Sequence, residues 1–273
     1  KAVPGTNDQI DVTYTVEEQP SGSIGASVGF TQGAGIILGA NLQENNFLGT
    51  GNSLGIGLNR STYQTNLQFS LTNPYFTNDG VSAGFKIAAS KTDYDQFNLT
   101  DYTTDSLSAG VSFGYPLSEI SRLNFGFNYE NLAIDIGTFP TIELLRFIQN
   151  NGDQYNILNT SVAWSRSTLN RGVLATKGAS QQAALEVTVP GSDLEYYKLS
   201  YFGQYFKPLT TRYTLRFRTS LGYGDGLGDN DRLPFFKNYF GGGLGSVRGF
   251  KRNTLGPQDQ PLIAGIRSRP FGG

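Results

Sequence analysis

Apolar side chains recur at every second position along most of this chain. From Arg122 to Glu130 the odd positions are Leu123, Phe125, Phe127 and Tyr129, and the even ones are Arg122, Asn124, Gly126, Asn128 and Glu130. Between Tyr213 and Tyr223 one set reads Tyr213, Leu215, Phe217, Leu221 and Tyr223; the other reads Thr214, Arg216, Arg218, Ser220 and Gly222. Successive side chains on a strand point to opposite faces, so each segment predicts a strand with one apolar and one polar or small face. Leu67, Phe69 and Leu71 alternate in the same way with Gln68, Ser70 and Thr72. So do Val81, Ala83, Phe85 and Ile87 with Ser82, Gly84 and Lys86, and Leu107, Val111, Phe113 and Tyr115 with Ser108, Gly110, Ser112 and Gly114. Weaker versions run through Ile24–Phe30, Ile36–Leu42, Leu54–Leu58, Val162–Arg166, Ala183–Val189 and Tyr197–Tyr205. There are about twelve such segments, each near the roughly 9–11 residues that a tilted strand needs to cross a bilayer. The one predicted helix covers Thr141–Phe147 inside a long loop, with Leu144, Leu145 and Ile148 capping that loop.

Two all-β architectures fit this pattern. A soluble sandwich or barrel turns the apolar face inward, whereas a membrane barrel turns it toward lipid. The polar faces carry Lys86, Glu130, Glu186, Lys198, Arg216 and Arg218 among Gly and Ser, which suits a wet lumen or an exposed sheet surface. Tyr63, Tyr75, Phe76, Tyr94, Tyr115, Tyr129 and Tyr223 lie near strand ends, where interfacial girdles place rings with a polar tip. Compact turns such as Asn73–Gly80 alternate with long connections at Thr92–Thr103 and Asp135–Gln154, the asymmetry of outer-membrane barrels. The balance favours a transmembrane antiparallel β-barrel.

Composition narrows the chemistry. The 273 residues include 35 Gly, 19 Phe and 15 Tyr but no Cys, His or Met. Without His or Cys there is no His general base, thiol nucleophile, disulfide or thiolate zinc site, so a non-enzyme without cofactor or metal is expected. A net charge of −1 gives no electrostatic case for nucleic acid. No run of about 18 apolar residues is present, so a helical membrane protein is excluded. The absence of Met and of a signal sequence at Lys1 is expected of an internal or processed piece. Asp225–Asp231 lacks EF-hand spacing and a distal Glu, and reads as a polar turn. Gly241–Gly245 resembles a phosphate loop only in its glycines.

Several motifs, in order across strand boundaries, resemble the BamA/surface-antigen family. They are Ile10–Glu18, Asn46–Gly51, Thr72–Phe76, Leu169–Gly172 with Thr176–Gly178, Val189–Asp193, Gly222–Gly226 and Gly245–Phe250. One departure is Ala175, where a Pro is usual. The resemblance implies residues 1–20 as the last strand and linker of a periplasmic POTRA domain. It implies residues 21–273 as a partial barrel, with about twelve of about sixteen strands and a long extracellular loop over 240–273. That loop is expected to lead toward a thirteenth strand. The implied setting is the bacterial outer membrane. Implied partners are nascent β-barrel clients, outer-membrane lipids and accessory assembly lipoproteins, the last mainly through periplasmic domains.

Two sites follow from the resemblance. The loop tip Val247, Arg248, Gly249 and Phe250 is expected to dock in the lumen, its guanidinium meeting carboxylates beyond Gly273. A guanidinium removed from water needs a fork of acceptors, and Gly249 permits a tight turn beside it. Without the family, this is an Arg-Gly turn in an exposed loop. The first strand, Gly22, Ser23, Ile24, Gly25, Ala26, Ser27, Val28, Gly29 and Phe30, is the expected lateral gate, where a client adds its own strand. Its glycines weaken the strand, and an unpaired edge is a template; the plainer reading is small residues lining a crowded lumen. The competing function is an outer-membrane pore or a two-partner secretion-type transporter; a soluble carbohydrate-binding β domain is a third reading.

Overall fold

The computed structural model describes residues 10, 12–15, 17, 20–31, 35–95, 99–228, 230–262 and 268–272. Of the expected POTRA strand at Ile10–Glu18, Asp11, Val16 and Glu18 lie outside them. Eleven strands form one antiparallel meander: β1 (Gly22–Thr31), β2 (Gly35–Phe47), β3 (Asn52–Arg60), β4 (Gln64–Asn73), β5 (Ser82–Asp93) and β6 (Tyr102–Ser118), followed by β7 (Ser121–Ile136), β8 (Gln154–Ser167), β9 (Gly178–Thr188), β10 (Tyr196–Pro208) and β11 (Thr214–Gly226). Each of the eleven alternating segments named above falls on one of these strands. Helix α1 (Ile142–Asn151) lies between β7 and β8, and runs further than the expected Thr141–Phe147. After β11 the chain makes a 3-10 turn at Phe235–Lys237 and a small hairpin, β12 (Gln258–Asp259) with β13 (Arg269–Pro270). The long segment therefore leaves the sheet after the eleventh strand, one earlier than the resemblance suggested.

The sheet curls. Eleven twisted antiparallel strands in one sheet curl rather than lie flat. On the inner side Lys237 reaches Glu130 of β7 at 3.0 Å and lies 5.9 Å from the Tyr196 ring of β10. The concave face carries the polar and small positions. Glycine there reflects crowding: a Cβ on Gly126 would come within 2.6 Å of Ser161 Oγ, and one on Gly84 within 2.8 Å of Ser112 Oγ.

The convex face is apolar and open. Leu67, Phe85, Leu107, Phe127, Leu199 and Phe217 are all exposed along it. An apolar surface repeated on strand after strand is what hydrocarbon solvates, and it far exceeds the patches that water-soluble monomers carry. The choice between the two architectures is thereby decided: the sheet is membrane-barrel wall, not soluble core.

The alternation inverts near one end. β6 and β7 run for 17 and 16 residues, more than a bilayer crossing needs. In Asn131–Ile136 the concave positions Leu132 and Ile134 are apolar and buried, while Asn131 and Asp135 face outward and are exposed. Tyr155 and Ile157 of β8 turn inward in the same way, with Asn156 outside. These residues join Tyr102, Leu144 of α1, Leu194, Tyr196 and Phe235 in a single buried cluster. Tyr94, expected in the interfacial girdle, belongs to this cluster instead, stacked on Tyr102 at 4.4 Å. Tyr129 stays on the outer face, its hydroxyl donating to Asn156 at 2.7 Å.

Candidate functional site

The first candidate region is an edge. β1 pairs with β2 over all ten of its residues, from Gly22↔Glu44 to Thr31↔Gly35, and with no other described strand. Its second row of backbone donors and acceptors is unpaired within the sheet. Ile24 is 85 % exposed, whereas Ile56, on the same face of β3, is 40 % exposed. A Cβ on Gly25 would come within 2.5 Å of Asn41 Oδ1, and one on Gly22, on the face of Ile24, within 2.5 Å of Glu44 Oε2; both are the ends of flexible side chains. Gly29 has nothing within 4 Å of such a Cβ, so sterics do not require glycine there.

The second region is the concave wall of β7 to β11, and what lies on it is a stretch not singled out from the sequence. Leu233 to Tyr239 crosses this wall like a strap. Gly222 and Gly224 make room for it: a Cβ on Gly222 would run into the Tyr239 ring, and one on Gly224 would come within 3.1 Å of Leu233 Cδ2. Phe235 enters the buried cluster edge-on to Tyr102, with ring centroids 5.0 Å apart. The Tyr239 hydroxyl donates to the Leu199 carbonyl at 3.1 Å, and burial raises its pKa, so it remains a donor. Lys198 Nζ donates to the Lys237 carbonyl at 2.7 Å and sits 4.6 Å from the Tyr239 ring centroid. Lys237 pairs with Glu130 at 3.0 Å, the two side chains being only 20 % and 18 % exposed. Beside them the Tyr196 hydroxyl donates to Glu186 at 2.9 Å.

Beyond the strap the chain closes over this end of the barrel. Asp259 accepts the Glu143 N–H at 3.0 Å in the first turn of α1, whose own N-cap Thr141 makes no side-chain cap. A carboxylate there also complements the positive end of the helix dipole. Arg269 pairs with Asp95 at 2.9 Å, and the Arg252 guanidinium lies 5.8 Å from the Tyr63 ring centroid between β3 and β4. Gly241–Gly245 is a tight turn: Gly242 and Gly243 have φ of +107° and +97°, and Gly243 N–H is bonded to the Val247 carbonyl at 3.2 Å. In the Asp225–Asp231 turn, Asn230 accepts the Glu195 N–H at 2.7 Å, and Asp229 lies outside the described residues.

The expected tip, Val247, Arg248, Gly249 and Phe250, forms exposed turns, with Gly249 at φ +92°. Arg248 makes no ion pair among the described residues. Among the described residues no hydrogen bond or ion pair joins the tip to β1; the strap ties the root of this loop to β7, β10 and β11. The signal for the strap was present in the sequence as Leu233-Pro234-Phe235-Phe236, an apolar run in a connection where polar residues are the rule.

Residues 46–273 match the Omp85 superfamily domain. The chain belongs to the Omp85 superfamily. Within it, the chain is 32 % identical over 269 residues to the outer membrane protein assembly factor BamA of Neisseria meningitidis serogroup B, a match covering 94 % of this chain and 34 % of that protein. The crystal structure of BamA from Haemophilus ducreyi lacking POTRA domains 1–3 superposes with a TM-score of 0.83 at 30 % identity, covering 95 % of this chain and 51 % of that one. CdiB from Escherichia coli superposes with a TM-score of 0.58 at 18 % identity, which shows the shared fold alone. The chain thus spans about a third to a half of the length of these BamA proteins.

Proposed function

We propose that this Omp85 chain is the membrane-embedded part of an assembly factor that inserts β-barrel proteins into the bacterial outer membrane, with β1 as the edge that receives the client. What supports this reading is the kinship with BamA, 32 % identity over 269 residues and a TM-score of 0.83, together with a sheet whose convex face is apolar; β1 is the strand that closes a barrel of this kind, and the seam it forms is where a client strand would enter. In hydrocarbon an unpaired backbone group costs several kcal/mol, so a client strand gains most by pairing where donors and acceptors already wait in register. β-Augmentation at β1 satisfies both partners, while the client's own outward side chains enter lipid. No nucleotide, metal or covalent step is needed. In this reading residues 1–20 end a periplasmic POTRA domain and residues 240–273 form an extracellular loop. Arg248 then finds its acceptors on strands that follow Gly273. The partners are nascent β-barrel clients and outer-membrane lipids, with accessory lipoproteins acting mainly through periplasmic domains.

These 273 residues contain no Cys, so no native thiol in them competes with an introduced one. Single cysteines at Ser23 and Ser27 in the parent protein are paired with cysteines along a client's C-terminal strand. Disulfides confined to one register are expected. No cross-link while client insertion is demonstrated would overturn the templating edge. A steady conductance without any insertion would favour the pore.

A further inference from the structure

The strap raises the question of what fixes the root of the loop that carries Val247–Phe250. Its apolar side chains anchor it by burial, but burial is non-directional and leaves several registers along the wall acceptable. A charge pair is more exacting. Lys237 Nζ lies 3.0 Å from Glu130 Oε2, and both side chains are four-fifths buried. The Lys237 backbone is held separately by the Lys198 ammonium at 2.7 Å. Lys198 and Lys237 bring two positive charges to this wall, and Glu130 and Glu186 bring two negative ones, so the cluster balances. Shifting the strap by one residue would put Phe236 or Asn238 at the position of Lys237 and leave Glu130 without a cation. A carboxylate so far from water tolerates that poorly.

We propose that Lys237 is a positioning residue: by pairing with Glu130 it fixes the register of the strap, thereby holds the root of the loop that carries Val247–Phe250, and so sets the rate of client insertion. Gly222 supports this, since the Tyr239 ring two residues further along can lie flat on the wall only where no Cβ stands. The role in insertion rests on the assembly function proposed above; the register of the strap does not.

The experiment uses the full-length parent protein in lipid bilayers. The variants are Lys237→Glu, Glu130→Lys, the swap of both, and the milder Lys237→Gln. Folding is checked by heat-modifiability. Trypsin cleavage at Arg248, Lys251 and Arg252 is followed by mass spectrometry, and client insertion is timed in parallel. Proteolysis of a transiently released loop tracks the released population, so each single charge reversal is expected to speed cleavage roughly ten-fold. Insertion should slow in parallel, the swap should restore both, and Lys237→Gln should fall between. Unchanged cleavage in folded single variants would overturn the proposal. So would faster cleavage with an unchanged insertion rate, or a swap that fails to recover. If the wild-type protein inserts no client, the assembly function fails and with it the insertion role of Lys237; the cleavage series still decides whether Lys237 sets the strap.

Discussion

The two flanks of this barrel wall are built to different standards. On the β1–β4 side no large side chain is fully buried and no ion pair is formed among the described residues. On the β6–β10 side the strands are longer, and their upper parts close around a buried aromatic cluster crossed by the strap. Both flanks share the same lipid-facing alternation, so the difference lies on the concave side. Proteins open locally where buried contacts are few, and stay shut where they are many. A sheet stiffened on one flank can yield at its other edge without losing its shape, which the client-receiving role proposed for β1 would require.

The comparison can be broken most forcefully at Phe235. Removing its ring from the cluster by Phe235→Ala should cost about 3–5 kcal/mol and lower the unfolding midpoint in urea. A midpoint near wild type would mean that the cluster does not hold this flank. Gly222→Val should displace the Tyr239 ring at a cost of about 1–3 kcal/mol. Faster trypsin cleavage of the 248–252 region in a still-folded barrel is the expected sign. Asp259→Ala removes the acceptor at the start of α1, and about 1 kcal/mol of helix stability should go with it. Hydrogen exchange at the amides of the first turn of α1 should then quicken while the barrel midpoint stays put. The smallest effect sharpens the contrast from the other side: Gly29→Ala places a methyl group in open space on β1 and should stabilise that strand by roughly 0.5–1 kcal/mol. Slower amide exchange along Gly22–Phe30 would register it.

Period two alone located all eleven strands, because the membrane-crossing part of each obeys one rule: lipid outside, small or polar groups inside. It underestimated β6 and β7, because their upper parts obey the opposite rule and the change of phase hides their continuation. Leu132 and Ile134 follow Glu130 on the same face, and a reading that expects a polar lumen ends the strand there. Tyr94 was misplaced for the same reason: a tyrosine at a strand end fits a girdle and an interior stack equally well in one dimension. The strap was invisible to periodicity because it has none. Its place is written in Gly222 and Gly224, whose missing side chains have meaning only once the segment that lies over them is known. The resemblance marked the first strand and the loop tip as places to look, but not the ion pair between the strap and β7.

The inversion of phase along β6, β7 and β8 amounts to a waterline drawn across the protein. Below it each strand is a wall between oil outside and water inside; above it the same strand is the rind of a drop of oil in water. Registered neighbours change together: Asp105 opposite Ala133, and Leu132 opposite Tyr155, both lie above the line. The Lys91–Asp105 pair, exposed on the outer face, marks the wet side of it. The chemical sense of a substitution therefore depends on height as well as on face. A charge placed outward at Phe127 would face hydrocarbon, while one placed outward at Asn131, four residues along the same strand, would face water.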